Sequence, residues 1–154
     1  MATTIGVISD THGLIRPAAL EALSGVSIII HAGDVGKPEV IEALNSIAPV
    51  FAIKGNVDVG LWADGLPATR TVEAEGTRIY VLHNVTDLNF NATAHGYGAV
   101  ISGHSHKPSY EFRDGVLYLN PGSAGPRRFR LPVSIARLFV DGDRLRPEII
   151  ALAP

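Results

Sequence analysis

Short apolar runs closed by polar residues repeat along the first half of the chain. Ile5-Gly6-Val7-Ile8 ends in Ser9-Asp10 and a turn, after which Pro17 to Leu23 sets apolar residues at helical spacing. Val26 to Ile30 ends in His31-Ala32-Gly33-Asp34 and precedes a helical stretch from Pro38 to Ile47; Val50 to Ile53 ends in Lys54-Gly55-Asn56. Proline suits the first turn of a helix, where its missing N–H would have no partner, so Pro17 and Pro38 mark helix starts. Runs alternating with helices at this interval predict βαβ units and a parallel sheet. The runs are apolar throughout, as in strands covered on both faces. Ligands of such sheets bind outside the carboxyl ends of the strands, so Asp10, Asp34 and Asn56 are expected at one rim.

The second half is richer in strand signals. Arg70 to Glu75 and Arg78 to His83 flank Gly76 as a hairpin, and further runs lie at 98–102, 109–113, 116–120, 133–140 and 145–150. Asp114-Gly115 and Asp141-Gly142-Asp143 read as hairpin turns. Residues 87–95 read as a short helix, with Asp87 as N-cap and Gly96 as stop. No linker divides the chain, so a single domain over 1–154 is expected.

Composition narrows the chemistry. A hydrophobic share of 46% against 18% charged is that of a folded protein rather than a disordered one. With no cysteine, disulfides and thiolate metal sites are excluded, and any metal must be held by His, Asp, Glu or Asn. The net charge of −2 argues against nucleic acid as the main partner. The charge is uneven: residues 1–77 carry four basic and nine acidic side chains, residues 78–154 nine basic and six acidic. The basic excess includes Arg127, Arg128 and Arg130; Arg127 and Arg128 are candidates to pair with a phosphate through their forked donors. The N-terminal segment lacks a basic leader with an apolar core, and Ile28 to Ile30 is far too short to span a bilayer, so a cytoplasmic protein is expected.

Five segments hold residues that metal chemistry would want: Asp10-x-His12, Gly33-Asp34, Gly55-Asn56, His83, and Gly103-His104-Ser105-His106. Each lies just beyond an apolar run. Singly, each has a bland reading: a strand-end Asp is commonly a helix cap or turn former, and a strand-end His a hydrogen-bonded structural group. Five in one chain, all at strand ends, point instead to a metal centre.

The order D-x-H, G-D, G-N, H and G-H-x-H resembles the calcineurin-like metallophosphoesterases, and the form Gly55-Asn56-Val57-Asp58 is similar to the small phosphodiesterase-type branch that also includes the retromer scaffold subunit. The resemblance implies an α/β fold, a four-layer α-β-β-α sandwich of two mixed sheets flanked by helices. It implies two divalent ions, one held by Asp10, His12, Asp34 and His106, the other by Asp34, Asn56, His83 and His104, with Asp34 as the bridge. Manganese is the first choice for this mix of oxygen and imidazole, with iron, zinc, magnesium or nickel open. The activity implied is hydrolysis of phosphodiesters, and secondarily monoesters, by a metal-bridging hydroxide, with Asp34, Asn56 and His83 at the reacting centre. The alternative is a protein-interaction scaffold on the same fold without catalysis; retention of a competent residue at every ligand position favours the enzyme. The expected partner is a small phosphoester, not a membrane, and a homo-oligomer (dimer or tetramer) stays open.

Two positions depart from the pattern. Where larger relatives of this superfamily have His after the G-N pair, this chain has Val57, so a general acid is missing there, and neither His31 nor His95 has a motif that would replace it. Asn84 stands where Gly is common after the His, and is expected to tolerate a left-handed turn. His31 reads as a packed structural residue and Asp58 as a residue that orients a ligand or turn. Ser9 and Ser105 read as small turn residues, and Asn120-Pro121-Gly122-Ser123 as a segment closing the rim. Trp62 belongs to the pocket, an oligomer contact or the core.

Overall fold

A computed structural model describes residues 2–128 and 130–152; Met1, Phe129, Ala153 and Pro154, included in the single-domain expectation, lie outside the described residues. Strand β1 (Ala2–Ile8) lies parallel to β2 (Ile28–His31), and β2 lies parallel to β3 (Val50–Ala52), with α1 (Pro17–Ala22) and α2 (Pro38–Asn45) as the crossovers. Pro17 and Pro38 open the two helices. Successive side chains of a strand point to opposite faces. Hence Ile5, Val7 and Ile30 enter one core cluster, while Ile8 and Ile29 enter a second cluster with Leu23, Val40 and Leu44 of the helical segments. This is why the runs are apolar throughout: one face meets helices and the other meets a second sheet.

Strands β4 (Thr69–Ala74) and β5 (Thr77–Leu82) form the hairpin, followed by β6 (Ala99–Ile101), β7 (Ser109–Arg113), β8 (Val116–Asn120), β9 (Ser134–Asp141) and β10 (Arg144–Ala151). The first sheet runs β10-β9-β1-β2-β3 and the second β4-β5-β6-β8-β7, both mixed. Between them Ile5, Val7 and Ile30 meet Ile79, Val81, Ile101, Leu117 and Leu119, all at most 1% exposed. Each such side chain contributes roughly 1.5–3 kcal/mol by leaving water. The result is the α-β-β-α sandwich.

The covering of the second sheet's outer face differs from expectation. Residues 87–95 are not a helix: a 3-10 turn spans Val85–Asp87, and turns fill 92–96. Asn91 closes one turn, its Oδ1 accepting from the Ala94 N–H at 3.1 Å and its carbonyl from the His95 N–H at 3.1 Å. Leu88, Phe90, Ala92 and Tyr97 pack there against Leu82, Val100 and Val116. Asn side chains that bond nearby backbone compete with helical bonds. Trp62 is half-buried and packs on the helical cluster. No helix among the described residues is long and apolar enough to cross a membrane.

Candidate metal centre

The parallel strands β1, β2 and β3 end on one rim, and backbone bonds continue the ladder past their ends. Asp10 N–H donates to the Gly33 carbonyl at 3.0 Å, His12 N–H to Asp34 at 2.9 Å and Gly13 N–H to Val35 at 2.8 Å. Asp58 ties the third loop to the second: its carboxylate accepts from the N–H groups of Val35 (3.0 Å), Gly36 (2.8 Å) and Gly55 (2.9 Å). From the second sheet, His83 follows β5 and Gly103 follows β6, joined by a 2.9 Å bond from the Gly103 N–H to the His83 carbonyl. Bonds at this rim also join the loops of one sheet to those of the other. His83 Nδ1 meets the Ala32 carbonyl at 2.8 Å, and the His104 N–H reaches Asp10 Oδ2 at 3.0 Å.

The backbone at this rim is unusual. Asp10, His12, Asp34, His104 and His106 all have left-handed φ, between 47° and 70°; the other described non-glycine residues with positive φ, Glu75 and Asp114, sit in hairpin turns. Each such residue costs roughly 1–2 kcal/mol, and conformations of this kind gather at functional sites. Two glycines give the loops room. A Cβ on Gly55 would meet the Asp34 backbone N and Oδ1, and one on Gly103 would meet Ser9 Oγ and Asp10 Oδ2.

Each carboxylate has one oxygen satisfied by protein donors and one facing imidazoles. Asp10 Oδ2 accepts from the Ser9 hydroxyl at 2.7 Å as well as from the His104 N–H; Asp34 Oδ1 accepts from the Val57 N–H at 3.0 Å. Asp10 Oδ1 lies 3.5 Å from His106 Nε2, 3.8 Å from His83 Nε2 and 3.9 Å from His12 Nε2. Asp34 Oδ2 lies 3.1 Å from His83 Nε2 and 3.7 Å from His12 Nε2. Asp10 Oδ1, His12 Nε2 and His83 Nε2 are buried without a hydrogen-bond partner. Among the described residues no Lys or Arg pairs with either carboxylate. Because the Ala32 carbonyl can only accept, His83 Nδ1 carries a proton, which frees Nε2 to bind a metal when the ring is neutral. Two triads result, Asp10/His12/His106 and Asp10/Asp34/His83, with ligand atoms within 4.8 Å of one another. The donor set of buried, orphaned oxygens and nitrogens fits divalent cations.

Charge behaves accordingly. Burial pushes the Asp10 carboxyl up, against the pull of the Ser9 hydroxyl and of His83 and His106. Burial would also raise Asp34, but the adjacent His83 imidazole and the bond from the Val57 N–H, with His12 nearby, hold it well below the usual carboxylate range. Burial opposes a charge on His83, yet the Asp34 carboxylate beside its Nε2 and the bond to the Ala32 carbonyl raise it. Burial lowers His106; Asp10 opposes this and the Arg128 charge adds to it.

The other residues singled out in the sequence fall into place around this cluster. Asn56 is exposed, on the wall of a cavity shared with His83. His104 is exposed, its ring centroid 5.2 Å from that of His83. The triads share Asp10, while Asp34 reaches both His12 and His83. Arg128 is near enough for its charge to be felt at His106, whereas Arg127 lines a separate hollow with Pro132, Val133 and Leu152. His31 is fully buried: the Gly33 N–H donates to its Nδ1 at 3.1 Å, so Nε2 carries the proton and meets Thr11 Oγ1 at 3.0 Å, and Thr11 donates to the Val35 carbonyl at 2.8 Å. Burial lowers its pKa to about 4. His95 sits beyond the opposite end of β5, its carbonyl accepting from Arg78. Neither histidine replaces the acid missing at Val57. Asn84 has extended backbone, φ −119°, rather than the left-handed turn expected; its Oδ1 instead caps the 3-10 turn through Thr86. Asn120 donates to the Gly103 carbonyl at 2.9 Å and Ser123 to the Asp10 carbonyl at 3.0 Å, so this late segment holds the loops of both sheets. The supporting role of Thr11 was not read from the sequence, and the only signal for it was its place between two candidate ligands.

Residues 3–143 match the model of the calcineurin-like phosphoesterase superfamily domain. A probable metallophosphoesterase of Methanothermobacter thermautotrophicus is 34% identical over 158 aligned residues, covering 95% of this chain and 91% of that protein. A solved archaeal phosphodiesterase is 26% identical with a TM-score of 0.78, covering 96% of this chain and 99% of its own. Vps29 of Chaetomium thermophilum has a TM-score of 0.79 at 20% identity, covering 99% and 100%, a likeness of fold.

Proposed function

The chain belongs to the calcineurin-like phosphoesterase superfamily, and from that premise we propose that it is a metal-dependent hydrolase of phosphodiesters, with monoesters a poorer second class. One observation carries the reading: Asp10 Oδ1 is buried among three imidazoles with no hydrogen-bond donor, an arrangement that needs positive charge. The residues that would hold a first ion are Asp10, His12, Asp34 and His106, and a second ion Asp34, Asn56, His83 and His104, with manganese preferred. Such ions, when bound, supply Lewis acidity toward a phosphoryl oxygen and an activated water. The chain's own residues set the geometry. Asp58 holds the Asp34 and Asn56 loops in mutual register, Ser9 and the His104 N–H orient the Asp10 carboxylate, and the Ala32 carbonyl orients His83. The products are an alcohol and a phosphate monoester. We place the protein in the cytoplasm, where a chain without cysteine loses nothing to a reducing environment.

Val57 is 47% exposed at the place where a general acid would stand. An aliphatic side chain cannot donate a proton, and such donation is worth roughly 10²–10⁴-fold. Activity is therefore modest and best on acidic leaving groups such as aryl esters. The test is a metal-titrated assay on paired mono- and diesters, with Asp34→Asn alongside. Full activity in that variant, or none in the parent with manganese, zinc, iron, magnesium or nickel, overturns the reading. A rate independent of leaving-group pKa across aryl diesters overturns the account of Val57.

A further inference from the structure

Strand β7 closes one side of the second sheet and, among the described residues, pairs only with β8. The neighbouring ladder fixes which of its backbone groups stay free. The Leu117 N–H donates to the Gly98 carbonyl at 3.0 Å, and the Leu119 carbonyl accepts from the Ser102 N–H at 3.1 Å, so these residues of β8 bond toward β6. Val116, Tyr118 and Asn120 bond the other way, to Arg113, Glu111 and Ser109 of β7. The N–H and C=O groups of Tyr110 and Phe112 therefore point outward from the sheet. Their rings, opposite Leu119 and Leu117, lie on the inter-sheet face at its margin, 52% and 55% exposed. Such an edge is a template for another strand. The β10 edge of the first sheet is different, because Pro147 stands within it and has no N–H to offer.

Two such edges can pair antiparallel about a twofold axis in three registers that use these free groups, and charge separates them. With Tyr110 opposite its own copy, Arg113 meets Lys107, and Phe112 meets Pro108, which has no N–H. With Tyr110 opposite Phe112, the two Glu111 side chains face each other where strands approach most closely, about 4.5 Å between Cα atoms. Like charges directly opposite are destabilising. With Phe112 opposite its own copy, Glu111 faces the second copy's Arg113, twice by symmetry, and the two Phe112 residues exchange N–H and C=O bonds. The charges are already placed for this last register. Arg113 meets Glu111 of its own chain at 2.7 Å, and its guanidinium lies 4.0 Å from the Tyr118 centroid, so both sit on the outer face.

We propose that β7 is a self-association edge: two copies of this chain pair β7 with β7, Phe112 opposite Phe112 and Glu111 opposite Arg113, joining their five-stranded second sheets into one. Sedimentation equilibrium of the full chain, without metal or substrate, tests this independently of the hydrolase reading. The parent is expected to dimerise. Glu111→Arg and Arg113→Glu each set like charges opposite one another at both contacts, and each should weaken the dimer about tenfold or more. An equimolar mixture of the two variants should regain about the parent affinity, since every contact between unlike chains is again complementary. A parent monomeric up to about 1 mM, single variants within about twofold of the parent, or a mixture no tighter than its components overturns the proposal. The register has its own test, because the chain has no cysteine. Phe112→Cys brings two thiols face to face, about 5.5 Å between Cα atoms, whereas Tyr110→Cys leaves them four residues out of step, about 14 Å apart and beyond the roughly 7 Å a disulfide spans. Phe112→Cys should therefore cross-link at least about tenfold faster on mild oxidation; equal or faster cross-linking of Tyr110→Cys overturns the register.

Discussion

Replacing Asp58 by Asn puts a donor where the loops need an acceptor. The wild-type carboxylate is 2% exposed and takes three backbone N–H bonds, two at Oδ2 from Val35 and Gly55 and one at Oδ1 from Gly36. The amide oxygen can keep the first two, but its NH2 then faces the Gly36 N–H. A hydrogen bond to a charged group is worth about 1.5–3 kcal/mol and a neutral one about 0.5–1.5. Losing one and weakening two by about 1 kcal/mol each gives a cost of about 4 kcal/mol. With a urea m value of about 2 kcal/mol/M, the midpoint falls by about 2 M. The assay is urea unfolding under chelation, so that metal affinity does not enter, with Asp64→Asn at an exposed site as a control expected within about 0.5 kcal/mol. Amide exchange should accelerate at Gly36 and Gly55 before it does in β1. A midpoint shift below about 0.5 M for Asp58→Asn refutes the clamp.

Three further outcomes derive from the same geometry. His31 is neutral in the fold with a pKa of about 4 against an ordinary 6.5, so the unfolded chain binds the extra proton and stability falls as pH drops through that window, by up to about 3 kcal/mol; His31→Gln should flatten the slope between pH 6.5 and 4, and an unchanged slope refutes the assignment. A dication bound only by the native state, at a thousandfold over its Kd, adds about 4 kcal/mol, so chelation should lower the calorimetric Tm by about 10 °C; equal Tm values with and without chelator count against the metal centre. Gly55→Ala forces a Cβ onto Asp34, at a cost of about 1–3 kcal/mol, and titration calorimetry should show metal affinity down at least about tenfold, whereas Gly65→Ala, with open space around it, should match the parent.

Much of the architecture was readable because pattern and packing agree. The runs ending at Ile8, Ile30 and Ile53 are apolar on both faces since each is covered on both, and the hairpin at Asp114-Gly115 carries residues suited to positive φ. The strands at 109–113 and 116–120 fall where their alternation predicts. Residues 87–95 misled because Asp87 looks like a cap, whereas Asn84 caps the turn from upstream and the packed rings of Tyr80, Phe90 and Tyr97 keep residues 88–97 as loop. The candidate ligands were legible from their places at the ends of apolar runs. Their left-handed backbone, the tautomer of His31 and the three bonds of Asp58 did not, because each depends on groups brought together by the tertiary fold.

The candidate ligands come in two instalments, Asp10, His12, Asp34 and Asn56 from loops of the first sheet and His83, His104 and His106 from loops of the second. A nascent polypeptide that has emerged through residue 60 exposes both carboxylates, the Asn56 amide and a single candidate imidazole, and completes the set proposed for neither ion. Metal acquisition therefore waits until both layers have docked, and the finished molecule, not the growing chain on the ribosome, selects among the cations around it.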